Sequence, residues 1–149
     1  MFRFLFVLIW MYVAPQVLAE ELKHKSGEVF ITLRTTELPA VLRDARDAQT
    51  QRFFGIQMLI VNLEIVFQGK PVFVPLDAFW GLTDPRGIEV RELAKSKRWQ
   101  LVVNGGDAST SYRAAMEFDR RQVHVVRIYS PHSTAPRTTK LFAPVMTLE

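Results

Sequence analysis

Asp107, Ser109, Ser111, Arg113, Glu117 and His124 fall close together in the span 107–124, directly after the pair Asn104-Gly105. Their side chains suggest three chemistries. Serine, histidine and an acid could form a hydrolytic site, which needs a base within hydrogen-bond reach of an exposed nucleophile. Glycine amides at Gly105-Gly106 beside Arg113 could cradle an anion. The same residues spread along a strand would instead form a row of charged and hydroxyl groups for recognising a partner.

The motifs favour the third arrangement. No G-x-S-x-G elbow occurs, and no G-x-x-x-x-G-K-[ST] loop. The glycines lead into a strand-like alternation, where a phosphate loop would lead into a helix. The histidines, His24, His124 and His132, lack the i, i+2 or i, i+4 spacing of a metal pair. No catalytic residue, cofactor or metal is therefore assigned. Asp107, Ser109, Ser111, Arg113, Glu117 and His124 stand as a candidate ligand or partner surface.

A period of two places these residues. Asn104-Gly105 is a preferred type I′ pair and predicts a two-residue hairpin turn. Leu101 then faces Ala108, and Trp99 faces Thr110. Ala108, Thr110, Tyr112, Ala114, Met116 and Phe118 share the face of Trp99, Leu101 and Val103, and the charged residues take the other. A second turn near Arg120-Arg121 pairs Phe118 with Val123, Met116 with Val125, Tyr112 with Tyr129 and Glu117 with His124.

Other strands are expected at 28–34, 59–67, 72–74, 88–93 and 137–146. Leu59, Val61, Leu63, Ile65 and Phe67 would line the core. Pro71, Pro75 and Pro144 push their segments to sheet edges, because proline cannot donate to a ladder. Gln68-Gly69-Lys70-Pro71 reads as a turn, and so does Asp84-Pro85-Arg86-Gly87. Leu38, Val41, Leu42 and Ala45 recur at helical spacing and predict one short helix over 37–48. Phe79-Trp80 reads as a core plug under a loop or an aromatic ligand platform. The fold class is all-β and mainly antiparallel, a two-layer sandwich of seven to eight strands, with a small barrel as the alternative.

The N-terminus has the layout of a secretory signal peptide. Arg3 precedes an apolar run from Phe4 to Ala14, Pro15 breaks it, and Val17 and Ala19 are small residues ahead of a cut before Glu20. The run is too short to span a bilayer, which needs about 20 apolar residues. Residues 1–19 are expected to be cleaved, leaving 20–149 as one domain, periplasmic or extracellular. The chain has no cysteine. Disulfides, thiolate metal sites and thiol nucleophiles are therefore excluded, and stability must come from the core. With 19 basic against 15 acidic residues, the charge lacks the basic stripe of a nucleic-acid binder.

The expected function is a non-enzymatic binding or inhibitory module, with an envelope protein or polysaccharide as partner. Strand pairing at an edge, 72–74 or 141–146, would be a natural docking mode. The alternatives are a small envelope hydrolase using Asp107, Ser111, Glu117 and His124, and a lipid or small-ligand carrier if the strands close into a barrel.

Overall fold

The β-branched and aromatic runs pair as antiparallel strands in the computed structural model, which describes residues 19–38, 58–94, 96–107 and 110–145. The strands are β1 (Ala19–Ser26), β2 (Val29–Glu37), β3 (Met58–Phe67), β4 (Lys70–Val72), β5 (Pro85–Leu93), β6 (Arg98–Gly105), β7 (Tyr112–Phe118), β8 (Val123–Tyr129) and β9 (Thr138–Leu141). One helical turn, α1 (Leu76–Phe79), lies between β4 and β5. A four-stranded sheet runs β1-β2-β3-β4 and a five-stranded sheet β5-β6-β7-β8-β9, forming the two layers of a sandwich. The described strands do not close into a barrel.

Alternation fills the space between the layers. Val29, Ile31 and Leu33 of β2 and Leu63, Ile65 and Phe67 of β3 meet Leu101 and Val103 of β6. Ala114, Met116 and Phe118 of β7 and Val123, Val126 and Ile128 of β8 complete that core. Burying each larger side chain stabilises the fold by roughly 1.5–3 kcal/mol.

The segment 19–26, a polar leader by composition, is strand β1. It forms a two-residue hairpin with β2 across Gly27-Glu28. Its inward Leu22 packs on the core. Gln68-Gly69 does make the β3–β4 turn, and both residues have positive φ, as a type I′ turn requires. The turn expected at Asp84-Pro85-Arg86-Gly87 is not made: Pro85, Arg86 and Gly87 belong to β5, and the chain bends at Asp84 alone, with positive φ. The helix expected over 37–48 lies outside the described residues, except that Glu37 ends β2 and Leu38 is buried.

Two β-bulges change which residues face the core. In β3 the register shifts between Arg34 and Thr35 of its partner β2, so Ile60 is buried while Val61 is half exposed. The expected inward set therefore holds for Leu63, Ile65 and Phe67 and fails at Val61 and at Leu59, which is only partly buried. One inserted residue flips every side chain beyond it. The second bulge, in β8, falls at the candidate site.

Edge strands tie the layers together. Past β4, the Phe73 amide donates to the Arg121 carbonyl at 2.8 Å, and the Val123 amide donates to the Phe73 carbonyl at 3.0 Å. Phe73 therefore offers no open backbone groups, which counts against strand docking at 72–74. Buried Gln122 holds the C-terminal segment, donating to the Ala143 carbonyl at 3.0 Å and accepting from the Val145 amide at 2.5 Å. Gln122→Ala is expected to cost about 2 kcal/mol, since two partly buried bonds lose their partner. Hydrogen exchange should accelerate at Val145 and leave β6 and β7 protected.

Candidate binding face

The outer surface of the five-stranded sheet follows from its register. One cross-strand row runs Gly87, Asn104, Arg113, Tyr129; the next runs Glu89, Val102, Ala115, Arg127; a third runs Arg91, Gln100, Glu117, Val125. Val102 and Ala115 point away from the core, yet they are only 8% and 5% exposed. Long polar side chains around them close over this floor and leave a hollow of about 150 Å³. Glu89, Arg91, Gln100, Asn104, Arg113 and Tyr129 form its walls.

The arginines differ in their partners. Arg127 pairs with the Glu117 carboxylate, so those two charges cancel. Arg91 donates from Nε to the neutral Gln100 amide oxygen at 2.8 Å and also bonds it through Nη2. Arg113 stacks over the Tyr129 ring, its guanidinium carbon 4.5 Å from the centroid. Among the described residues, neither Arg91 nor Arg113 has a carboxylate within ion-pair reach. Their strand partners Gln100 and Asn104 lie four residues apart on β6, roughly 13 Å along the strand. Two orientation-restricted guanidiniums thus flank an apolar floor of Val102 and Ala115, with Asn104 directly opposite Arg113.

The β8 bulge builds this face. Phe118 pairs with Val123 as expected, but Glu117 then pairs with Val125 and Met116 with Val126. The expected Met116–Val125 and Tyr112–Tyr129 pairings are therefore displaced by one residue. Val126 and Ile128 enter the core, while Arg127 and Tyr129 turn outward. The expected Glu117–His124 pair is not made. The His124 Nε2 instead lies 2.8 Å from Asp119 Oδ2, and Glu117 bonds Arg127.

The turn at Asn104-Gly105 is not made either. Both residues belong to β6, and Leu101 pairs with Met116, eight residues beyond the expected Ala108. Under the expected register, Ala114, Met116 and Phe118 would run past the end of β6. The observed register sets Trp99, Leu101 and Val103 against Phe118, Met116 and Ala114. Cross-strand burial outweighs turn propensity here. The slip is an even number of residues, so the assignment of faces survives it.

The six sequence-derived residues separate accordingly. Arg113 and Glu117 share the outer face of β7. Asp107 lies beyond β6, ion-paired with Arg86 at 3.0 Å and exposed. Ser109 lies outside the described residues. Ser111 precedes β7 and, with Arg113, lines a second hollow of about 370 Å³ beside His132. His124 sits at the opposite end of β7, roughly 20 Å from Ser111 at strand rise, so these two cannot act as nucleophile and base. Phe79 and Trp80 also divide: Phe79 is buried and Trp80 is 65% exposed.

Sequence reasoning missed Arg91, Gln100, Asn104 and Tyr129 as wall residues. Period two along 88–93 and 98–105 does put Arg91, Gln100 and Asn104 on polar faces. Only the true register joins them. No protein-family model, curated protein or solved structure matches this chain.

Proposed function

We propose that this protein is an exported binding module that seats an acidic side chain of a partner protein between Arg91 and Arg113. Export rests on the signal-like sequence of residues 1–19. The observation that carries the binding reading is the Arg113–Tyr129 stack beside Arg91, where Glu89 is the one acidic wall residue and neither guanidinium has a carboxylate within ion-pair reach among the described residues. Stacking restricts Arg113 without satisfying its five donors. A carboxylate can take them bidentately. The hollow, about 150 Å³, holds one side chain rather than a whole small molecule. That size suits a single side chain presented by a protein partner.

A fluorescent glutamate-rich peptide tests this reading by anisotropy. Binding should weaken at least tenfold in Arg113→Glu, which converts to about 1.4 kcal/mol, and should fall with rising salt. Equal affinity for wild type and Arg113→Glu would refute it. Export has a separate test. N-terminal sequencing of protein recovered from its host should begin at Glu20, and an intact Phe4–Ala14 run would refute cleavage.

A further inference from the structure

The sandwich opens at the end where β2 turns from β1 and β7 turns into β8. The last inward row of one sheet is Ser26, Val29 and Phe67, and that of the other is Glu92, Trp99 and Phe118. Trp99 packs on Phe67 with ring centroids 4.4 Å apart and the planes tilted by 48°. Phe118 lies behind Trp99 at 6.2 Å. Above the stack is a hollow of about 420 Å³, rimmed by Ser26, Glu28, Glu92 and Arg120.

Glu92 breaks the pattern of its strand. Ile88, Val90 and Glu92 pair with Val103, Leu101 and Trp99, so all three belong to the inward face. Packing alone would place an apolar residue at the third position. Glu92 has no ion-pair or hydrogen-bond partner among the described residues. Arg120 sits 5.0 Å over the Phe67 ring, likewise without a carboxylate in ion-pair reach. Glu28 accepts from the Gln68 amide at 2.6 Å.

We propose that this mouth is a second binding site, for a neutral oligosaccharide. Two carboxylates beside one guanidinium disfavour an anion. A greasy ligand would strip water from three charges, which is costly. Sugar hydroxyls both donate and accept, so one ring can donate to Glu28 and Glu92 while accepting from Arg120. Its C–H face rests on the partly exposed Trp99 indole, which supplies apolar area at the edge of water.

The test uses the full-length chain carrying Trp10→Phe and Trp80→Phe, which leaves Trp99 as the sole indole reporter. A neutral glucan trimer and an N-acetylglucosamine trimer are titrated separately, with spermidine as the cationic control. The expected result is a saturable change in Trp99 emission with at least one trimer, with affinity falling tenfold or more in Glu92→Gln. Glu92 is exposed, so that variant folds, and its far-ultraviolet dichroism should match the parent. Arg113→Glu should leave sugar affinity unchanged, separating this site from the acidic-peptide face. The proposal is overturned if neither trimer gives a saturable response, if Glu92→Gln binds as tightly as the parent, or if spermidine alone titrates Trp99.

Discussion

Gly106→Ala should lower stability by about 3 kcal/mol or more, read as a fall in the denaturation midpoint. Gly106 has φ +75°, where a side chain already costs roughly 1–2 kcal/mol. A Cβ there would lie 2.3 Å from the Thr110 carbonyl oxygen and 2.9 Å from the Ser111 Cα, both backbone atoms that cannot rotate aside. The Gly106 amide also donates to the Asp84 carbonyl at 3.1 Å, so the loop is held from both sides. Gly69 is the control. Its φ is also +75°, but a Cβ would meet nothing within 4 Å, so Gly69→Ala should cost only about 1 kcal/mol. Equal losses at the two positions would contradict the packing argument. The loop also sets where β7 begins, and hence where Arg113 sits, so binding of the acidic peptide should weaken in the Gly106 variant.

Asp119→Ala is expected to cost about 2 kcal/mol at neutral pH, a figure already reduced for the partial exposure of this side chain. Its Oδ1 accepts from the Arg121 amide at 2.7 Å and the Gln122 amide at 3.0 Å, while Oδ2 meets His124 at 2.8 Å. Partial burial pushes the carboxyl pKa up. The Arg121 amide, His124 and the Gln122 amide together outweigh burial and hold it below the ordinary carboxylate value. A carboxyl depressed by folding contributes stability above its unfolded pKa, and that contribution disappears as pH falls through the folded value. The gap between wild type and Asp119→Ala should therefore be full at pH 7 and shrink under acid, as urea denaturation across pH would measure. A gap independent of pH would exclude the charged hydrogen bonds as its source. Because Asp119 anchors the bulged His124, the variant should also loosen the outward placement of Arg127 and Tyr129 and weaken the acidic-peptide site.

These two positions lie where local pattern and tertiary pairing part. At 104–112, turn chemistry favoured Asn104-Gly105, yet the chain runs on to Gly106 because Phe118 and Met116 gain apolar partners only in the longer pairing. Tyr112 covers Gly105 from the opposite strand, and its hydroxyl donates to the Thr83 carbonyl at 2.9 Å. A Cβ at Gly105 would lie 2.4 Å from that hydroxyl oxygen. The glycine is thus needed for a close cross-strand approach, a requirement that its neighbours in the chain do not reveal. At β1, alternating Glu, Lys and His conceal a strand whose inward side carries only Leu22 as a large apolar group. Burial there comes from β2 and from β5 lying beside it.

What the chain determined alone was its period. Alternation of apolar and polar residues made it all-β, put Trp99, Leu101, Val103, Met116 and Phe118 inside, and put Arg113 and Glu117 outside. Pro71 marked β4 as an edge strand, whereas the last strand, β9, ends at Leu141 and leaves Pro144 outside it; the lack of cysteine required a packed core without disulfides. Tertiary structure alone decided register and bulges. A period-two pattern is unchanged by an even slip, so it cannot distinguish Leu101 facing Ala108 from Leu101 facing Met116. A bulge adds one unpaired residue where packing demands it, and nothing in the local sequence marks the place. The single insertion at β8 turned Tyr129 out to meet Arg113 and thereby made a binding face from strands whose polar sides were otherwise ordinary.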